Sequence, residues 1–192
     1  MSVVEAQPRR WTRDEYYRMA DLGFFEDQRV ELIDGEIFKM PPQKDVHAIV
    51  VGLVHRAVVA AFGPAVWVRE QMPISLPNAS EPEPDVSVVK GEPRNYLGKG
   101  HPRSALLVVE VSDTTWLFDR RRKASLYASA GIEDYWIVNL VDVRLEVLRN
   151  SVRDIAQPHG YRYDESVILK SGDAISPLAI PQSAIKVSDL LP

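Results

Sequence analysis

Apolar and polar positions alternate along the chain in patterns that predict both strands and helices. Apolar runs at 30–33 and 36–40 flank Asp34-Gly35, and a two-residue turn that ends in glycine between such runs predicts a β-hairpin. From Val46 to Phe62, apolar side chains recur three and four residues apart, which predicts a helix with one buried face. We expect Gly63-Pro64 to end that helix.

The remaining elements follow from the same kinds of pattern. Thr12, with Glu15 three residues later, matches a capping box and predicts a short helix. The segment Glu81-Pro82-Glu83-Pro84 cannot continue a strand ladder, so a new strand is expected only after Asp85. The other predicted elements are strands at 65–71, 86–89 and 106–111, a helix at 119–130, a hairpin at 134–140 and 143–148, and an edge strand at 161–170.

Two acids stand in apolar runs whose packing does not need them. Asp85 precedes the run 86–89 and Glu110 lies inside the run 106–111, so both runs are typical of buried strands that carry a carboxylate. An isolated ionised carboxylate is costly in an apolar interior, and a bound cation best explains two of them near adjacent strand ends. The competing interpretation makes Asp85 a turn acid after prolines and Glu110 a water-facing residue of an edge strand.

A magnesium ion would suit this pair of acids. Mg²⁺ takes oxygen ligands, usually one or two carboxylates together with water and phosphate oxygens. Asp85 and Glu110 match that need, and the carbonyl of Val111 is a further candidate ligand. Lys123 precedes the predicted buried stripe of the 119–130 helix, so it can lie beside the metal and stabilise charge there. Its alternative is a solvated position that continues the basic run 120–122.

Four further residues are weaker candidates for the site. Glu31 alternates with apolar neighbours on a predicted strand, and the sequence does not say which face is buried. His47, at a helix start, can contact phosphate, although such a histidine is more often structural. Gln71 can contact substrate or close a strand end, and Arg120, in the basic run 120–122, is a candidate contact to a substrate phosphate.

Length and composition limit the class of protein. We expect one domain over residues 1–192, with a core at about 11–150 and a C-terminal strand and tail at 151–192. No stretch approaches the roughly 20 apolar residues of a membrane span, residues 1–5 lack the features of a secretory signal, and there is no cysteine. A cytoplasmic protein without a membrane partner is therefore expected.

Charge limits how the protein would meet nucleic acid. The net charge is −4, from 23 basic and 27 acidic residues, so any nucleic-acid surface must be local. The most basic loop, residues 90–103, holds four lysines and arginines against the single acid Glu92. Trp116, Leu117 and Phe118 are expected to be exposed, where they would form a homodimer surface.

The joint spacing of these motifs resembles the PD-(D/E)XK nuclease superfamily and, within it, the Uma2 family of restriction-endonuclease-like proteins. Pro84-Asp85 and Glu110-Val111-Ser112 match the superfamily motif, and Ser112 stands where the motif lysine is usual. Lys123 then resembles the migrated lysine of some branches. The segments that carry the resemblance are 30–37, His47, Gln71 with Pro73-Ile74, 83–85, 108–112, Lys123 with Leu126-Tyr127, and 131–138.

This resemblance, which runs from about Trp11 to the C-terminus, implies a fold, a site and a function. The fold is α/β (α+β), a restriction-endonuclease-like mixed β-sheet flanked by helices, with additional β-hairpins. Glu31, Asp85, Glu110 and Lys123 would surround one site for Mg²⁺ or Mn²⁺. The segment 113–119 is less polar and basic than the family pattern, so the lip that faces substrate is expected to be unusual.

The function that follows is a divalent-metal-dependent DNA endonuclease, which hydrolyses phosphodiester bonds with metal-activated water. DNA is the expected substrate, and paired sites in a homodimer would suit double-strand cutting. One alternative is a catalytically inactive scaffold that binds nucleic acid or protein, which the net negative charge favours and the intact acids disfavour. Another is hydrolysis of a smaller phosphoester, which a narrow and weakly basic pocket would favour.

Overall fold

The computed structural model describes residues 6–192, so residues 1–5, on which the expectation about a secretory signal rests, lie outside the described part. The helices are α1 (Arg13–Asp21), α2 (Asp45–Phe62) and α3 (residues 116–129). The strands are β1 (Val30–Ile33), β2 (Glu36–Lys39), β3 (Val66–Glu70), β4 (Val86–Lys90), β5 (Leu107–Ser112), β6 (Asp134–Asn139), β7 (Arg144–Arg153), β8 (Tyr161–Leu169), β9 (Ala174–Ile175) and β10 (Ile185–Lys186).

A mixed sheet forms the centre of the fold. Its six strands lie in the order β3-β4-β5-β6-β7-β8, and β5 pairs with β6 in parallel while the other neighbours are antiparallel. The two apolar runs that carry the acids are therefore neighbouring strands, and β8 lies at the sheet edge as predicted. The predicted fold class, a mixed sheet flanked by helices, is confirmed.

Helix α2 covers one face of this sheet. Val50, Val54 and Val58 are completely buried among the alternate side chains of β4, β5 and β6. The burial of this stripe confirms the helical spacing that predicted α2. Residues 45–65 also satisfy, by length and composition alone, the requirements of a membrane-crossing helix, which corrects the estimate that no stretch approaches that length.

The opposite face of the sheet is covered by the β1–β2 hairpin and α3. Ile33 of the hairpin packs in the same cluster as Leu126 of α3 and Tyr135 of β6. The amide of Glu81 donates to the carbonyl of Leu32 at 2.7 Å, which fixes the hairpin to the chain segment that leads to Asp85. The hairpin thus brings Glu31 over the sheet.

Helix α3 begins earlier than predicted and is not uniform. It starts at Trp116 rather than residue 119, because Trp116 Nε1 donates to Glu146 at 3.0 Å and Phe118 packs on Phe38 with ring centroids 5.3 Å apart. The prediction that both aromatic residues are exposed was therefore wrong, whereas Leu117 is exposed. The three parts of α3 are α-helix at Trp116–Phe118, a π-helical segment at Asp119–Lys123, and α-helix at Ala124–Ser129.

Candidate active site

Strand register brings Asp85 and Glu110 to the same end of β4 and β5. Val86 pairs with Val109 in the antiparallel ladder, so the acid before Val86 and the acid after Val109 lie side by side. Asp85 Oδ2 accepts a hydrogen bond of 2.8 Å from the amide of Val111, and both acids are buried. This hydrogen bond from its backbone amide also holds Val111 beside Asp85.

Lys123 of α3 points into this acid group. Its Nζ lies 3.0 Å from Glu110 Oε1 and 3.0 Å from Glu31 Oε2, and the whole residue is 1% exposed. Glu31, on β1, is completely buried, and its Oε2 has no hydrogen-bond partner of good geometry. The lysine therefore joins a carboxylate of the hairpin to a carboxylate of the sheet.

Burial changes the ionisation of these groups in different ways. It raises the pKa of Glu110 to about 8, against the opposing effect of Lys123, and it raises the pKa of Glu31 as well. Burial alone would lower the pKa of Lys123, but the charges of Glu110 and Glu31 outweigh it and raise that pKa. The lysine is thus held as a cation, while burial favours the neutral form of both acids.

Asp85 differs because hydrogen-bond donors surround it. His47 Nε2 lies 3.3 Å from Asp85 Oδ2, and Gln71 Nε2 donates to Oδ1 at 3.2 Å. Burial opposes the charge, yet the contacts with His47 and the amide of Val111 hold the pKa of Asp85 below its ordinary value. Gln71 has a φ of 49° directly after β3, and this turn directs its amide toward the acid.

Two residues that the sequence reasoning missed complete the group. Tyr127 donates its hydroxyl to Glu110 Oε1 at 2.7 Å. Asp119 lies with Oδ1 4.0 Å from Lys123 Nζ, while its Oδ2 accepts from Ser112 and Thr115. Their signal in the sequence is that each stands four residues from Lys123, which places neighbours on one helix face.

These residues border a cavity of about 60 Å³, enough for several water molecules or a small hydrated ion. The start of α2 borders it too, through Lys44 and His47. Arg120 does not line this cavity, and its Nε lies 3.3 Å from Glu146 Oε2 on β7 instead. The lining consists of Arg29, Glu31, residues 40–44, His47, Asp85, Glu110, Val111, residues 113–115, Asp119 and Lys123.

The donors around the cavity suit a hard divalent cation. Among residues 6–192, no three His, Asp or Glu side chains converge as a ready metal-binding group. Two carboxylates are nevertheless what proteins commonly offer Mg²⁺, with water and phosphate oxygens as the other ligands. Full ionisation of the buried acids Glu31, Asp85, Glu110 and Asp119 would place more negative charge here than the ammonium of Lys123 balances, and a divalent cation would supply the missing positive charge.

Comparisons with known proteins agree with this architecture. Among solved structures, the chain is similar to a putative nuclease of the DUF820 family from Anabaena variabilis, with 13% identity, a TM-score of 0.67, and coverage of 93% of this chain and 96% of that chain. At that identity the likeness shows a common fold. No curated protein matches the chain. The sequence model of the Uma2 family, described as a putative restriction endonuclease, matches residues 13–188, and the chain therefore belongs to the Uma2 family.

Proposed function

We propose that this protein is a divalent-metal-dependent DNA endonuclease whose metal is held by Asp85 and Glu110, with the Val111 carbonyl as a further ligand. The observation that carries the proposal is the register of β4 and β5, which sets the two acids side by side on one cavity with Lys123 3.0 Å from Glu110. A Mg²⁺ or Mn²⁺ ion bound there would supply Lewis acidity toward a phosphodiester and would make water a better nucleophile.

The residues around the ion would each have a defined task. Lys123 stabilises negative charge on the phosphate and orients the attacking water. Glu31 holds the lysine in place from the side opposite Glu110, since its carboxylate is fixed by the buried hairpin strand. His47 and Gln71 hold the Asp85 carboxylate in its orientation.

Substrate binding would use positive charge near the cavity. The N-terminus of α2 lies at the cavity, and helix N-termini favour phosphate groups. Lys44 is exposed beside it but pairs with Asp113 at 2.7 Å, so a phosphate would compete with that carboxylate. Outside the lining of the cavity, Arg121 is exposed on α3 and the 90–103 loop holds four basic residues. Arg120 is paired with Glu146, so it would contact DNA only after that ion pair breaks. DNA binding should weaken steeply as salt rises.

The proposal also covers the location, the domain organisation and the oligomeric state of the protein. The protein would act in the cytoplasm as one domain over residues 1–192, and a homodimer would bring two sites to opposite strands. Leu117, which is 60% exposed on α3, is the apolar side chain of the 116–118 segment left free for such a contact.

A second candidate function is hydrolysis of a smaller phosphoester at the same acids. The cavity volume of about 60 Å³ favours a small substrate, because a protein groove that admits a DNA duplex must be far wider. The exposed Lys44 at the rim of the cavity, before the first residue of α2, favours DNA instead.

The deciding experiment compares wild-type protein with Asp85→Asn, Glu110→Gln and Lys123→Met variants on supercoiled, linear and single-stranded DNA, with Mg²⁺ or Mn²⁺. Glu165→Gln and Arg153→Met are the matched controls, because both residues are charged and exposed and neither belongs to the acid cavity or to the basic residues proposed to bind DNA. Bis-p-nitrophenyl phosphate tests the smaller substrate. We expect metal-dependent DNA cleavage that falls at least a hundredfold in the three site variants only.

Three other outcomes would count against the proposal. Cleavage that survives in the acid variants would show a contaminating nuclease. Turnover of the small diester without DNA cleavage would favour the second candidate. Metal binding with no hydrolysis of either substrate would leave the binding scaffold as the function.

A further inference from the structure

A second cavity, of about 530 Å³, lies between β3 and the 91–103 loop, and we call it the loop cavity. Its walls include Trp67, Arg69, Pro93, Tyr96, Leu97 and His101. It shares no lining residue with the acid cavity. Its volume falls in the range of about 300–1,000 Å³ that is typical of small-ligand sites.

A buried arginine at this cavity lacks partners for most of its donors. Arg69 is 1% exposed, and its Nη2 donates to the carbonyl of Pro73 at 3.0 Å. Its Nε and Nη1 are buried without a hydrogen-bond partner, and no carboxylate of the described residues lies within 4.0 Å of it. Ser87 lies opposite Arg69 in the β3–β4 ladder, and its Oγ is also buried without a hydrogen-bond partner. A buried guanidinium without an anion is costly, so an anionic ligand would complete this group.

Aromatic rings adjoin the arginine. The Arg69 Cζ lies 4.8 Å from the centre of the Trp67 ring, which stabilises the cation in part. Tyr96 of the loop packs on Trp67 with ring centroids 5.6 Å apart. A planar aromatic ligand can stack on such side chains, and nucleobases do so largely without regard to sequence.

The surroundings of the loop cavity are basic. Arg94 lines it, and Lys90, Lys99 and Arg103 line an adjoining cavity of about 340 Å³ that shares Tyr96 and His101 with it. This is the loop that stood out as basic in a chain of net charge −4. A local positive field of this kind concentrates polyanions.

We propose that the loop cavity binds a nucleotide, with a phosphate group at Arg69 and the base against Trp67 and Tyr96. The phosphate supplies the anion that the guanidinium lacks, and the base supplies the planar ring. This proposal does not rest on the nuclease function, because none of the residues involved holds the metal. The cavity and Glu110 share one sheet face, since Arg69, Ser87 and Val108 form one row across the ladder and Glu110 follows Val108 by two residues.

Ligand entry requires the loop to move. Arg69 Nε and Nη1 are shielded from water, and loop residues 93–102 line the cavity together with Arg69, so a phosphate would reach these donors by displacing the loop. Gly91, Gly98 and Gly100 all have positive φ values, a conformation that costs glycine little and other residues more. A free mononucleotide and an unstacked nucleotide within a DNA strand would bind through the same chemistry.

The test measures binding to the intact protein in EDTA, so that a failure of nuclease activity cannot affect it. The probes are dAMP, deoxyadenosine, inorganic phosphate and a single-stranded dT octamer, titrated by calorimetry. Wild-type protein should bind dAMP at least tenfold more tightly than deoxyadenosine or phosphate. Arg69→Met should remove that advantage, and Tyr96→Leu should weaken dAMP and deoxyadenosine together. Arg153→Met, at an exposed position on β7, is the control and should bind like wild type.

The two ligand sources give different results within the proposal. An octamer that binds more tightly than dAMP, and that loses affinity in Arg69→Met, assigns the site to a DNA strand. An octamer that binds worse than dAMP assigns it to free nucleotides. The proposal is overturned if dAMP does not bind at millimolar concentration, if phosphate binds as tightly as dAMP, or if folded Arg69→Met and Tyr96→Leu both bind like wild type.

Discussion

Lys123 Nζ lies 3.0 Å from Glu110 Oε1, and this ion pair joins α3 to β5 in the interior of the protein. Glu31 contacts the same ammonium at 3.0 Å from the hairpin side. Three separate chain segments thus meet at one cation. A buried ion pair loses its hydration, and this desolvation opposes the attraction between the two charges. The pair therefore stabilises the fold only if further hydrogen bonds satisfy the charged groups.

Replacing Lys123 by Met should destabilise the protein in a pH-dependent way. Removal of one partner from a buried pair typically costs about 3–5 kcal/mol. The cost should be largest near pH 8.5, where Glu110 is ionised, and smaller near pH 6, where Glu110, with its pKa raised to about 8, can remain protonated. Urea unfolding at both pH values measures the difference.

The control for this experiment is Arg121→Met, two residues earlier on the exposed side of α3. It should change the unfolding free energy by less than about 0.5 kcal/mol. Equal stability of Lys123→Met and wild type at pH 8.5 would contradict the role of Lys123 as the internal counter-charge.

Metal affinity should rise with pH up to about 8. In the metal-free protein the pKa of Glu110 is raised from 4.5 to about 8, so between these values a bound metal must displace a proton from Glu110. Affinity should therefore increase by at most about tenfold per pH unit and level off above pH 8. Calorimetry in buffers of different ionisation enthalpy would detect the released proton, and Glu165→Gln should behave like wild type.

Tyr127→Phe should raise the pH at which metal affinity levels off, which we call the affinity plateau. The Tyr127 hydroxyl donates to Glu110 Oε1 at 2.7 Å, which favours the ionised carboxylate. Without that donor the pKa of Glu110 should rise further, and metal binding at pH 7 should weaken. A plateau at unchanged pH would show that the hydroxyl contributes only packing.

Asp119→Asn should move the affinity plateau to lower pH. The charge of Asp119 raises the pKa of Glu110, so its removal should let Glu110 ionise at lower pH. Asparagine can still accept from Ser112 and Thr115, which keeps the helix start in place. Ser112→Ala serves as the comparison, because it disturbs the same contacts without removing the charge.

Glu81→Gln should weaken the attachment of α1 to the chain segment that leads to Asp85. The buried Glu81 carboxylate pairs with Arg13 and accepts from the hydroxyl of Tyr17 at 2.9 Å, both on α1. Charge-assisted hydrogen bonds of this kind contribute about 1–3 kcal/mol, which the urea midpoint should report. Asp14→Asn, at an exposed position on the same helix, should have a much smaller effect.

The strands, the hairpin and the neighbourhood of Asp85 and Glu110 could be predicted from sequence, because apolar runs and turn residues report burial and chain reversal directly. The capping box of α1 was predicted for the same reason, since its atoms are all local. Glu31 was harder to interpret. The burial of both faces of β1 depends on what packs over the hairpin, and that information lies elsewhere in the chain.

The residues that the sequence did not reveal act through tertiary contacts. Asp119 looks like a helix-start acid and Tyr127 like a core aromatic, and only their approach to Lys123 and Glu110 distinguishes them. Lys123 itself follows three arginines, so the sequence favoured a solvated stretch about as strongly as a buried lysine. Arg69 resembles an ordinary strand charge in the sequence, and only the structure shows that it is buried at the loop cavity.

The π-helical turn at Asp119–Lys123 sets the rotational phase of α3. In a regular α-helix, residues four apart drift by about 40° around the axis, so three residues spaced by four would fan out by about 80°. A π-helical turn contains more residues than an α-helical turn, so four residues fall short of a full turn. The drift from Asp119 to Lys123 therefore has the opposite sign to the drift from Lys123 to Tyr127, and the two offset each other. Asp119, Lys123 and Tyr127 consequently lie on one face of the helix, where their side chains approach the same acid group. The length of this segment is therefore as much a part of the site as the lysine, and loss of one residue from it would turn the ammonium away by about 100°.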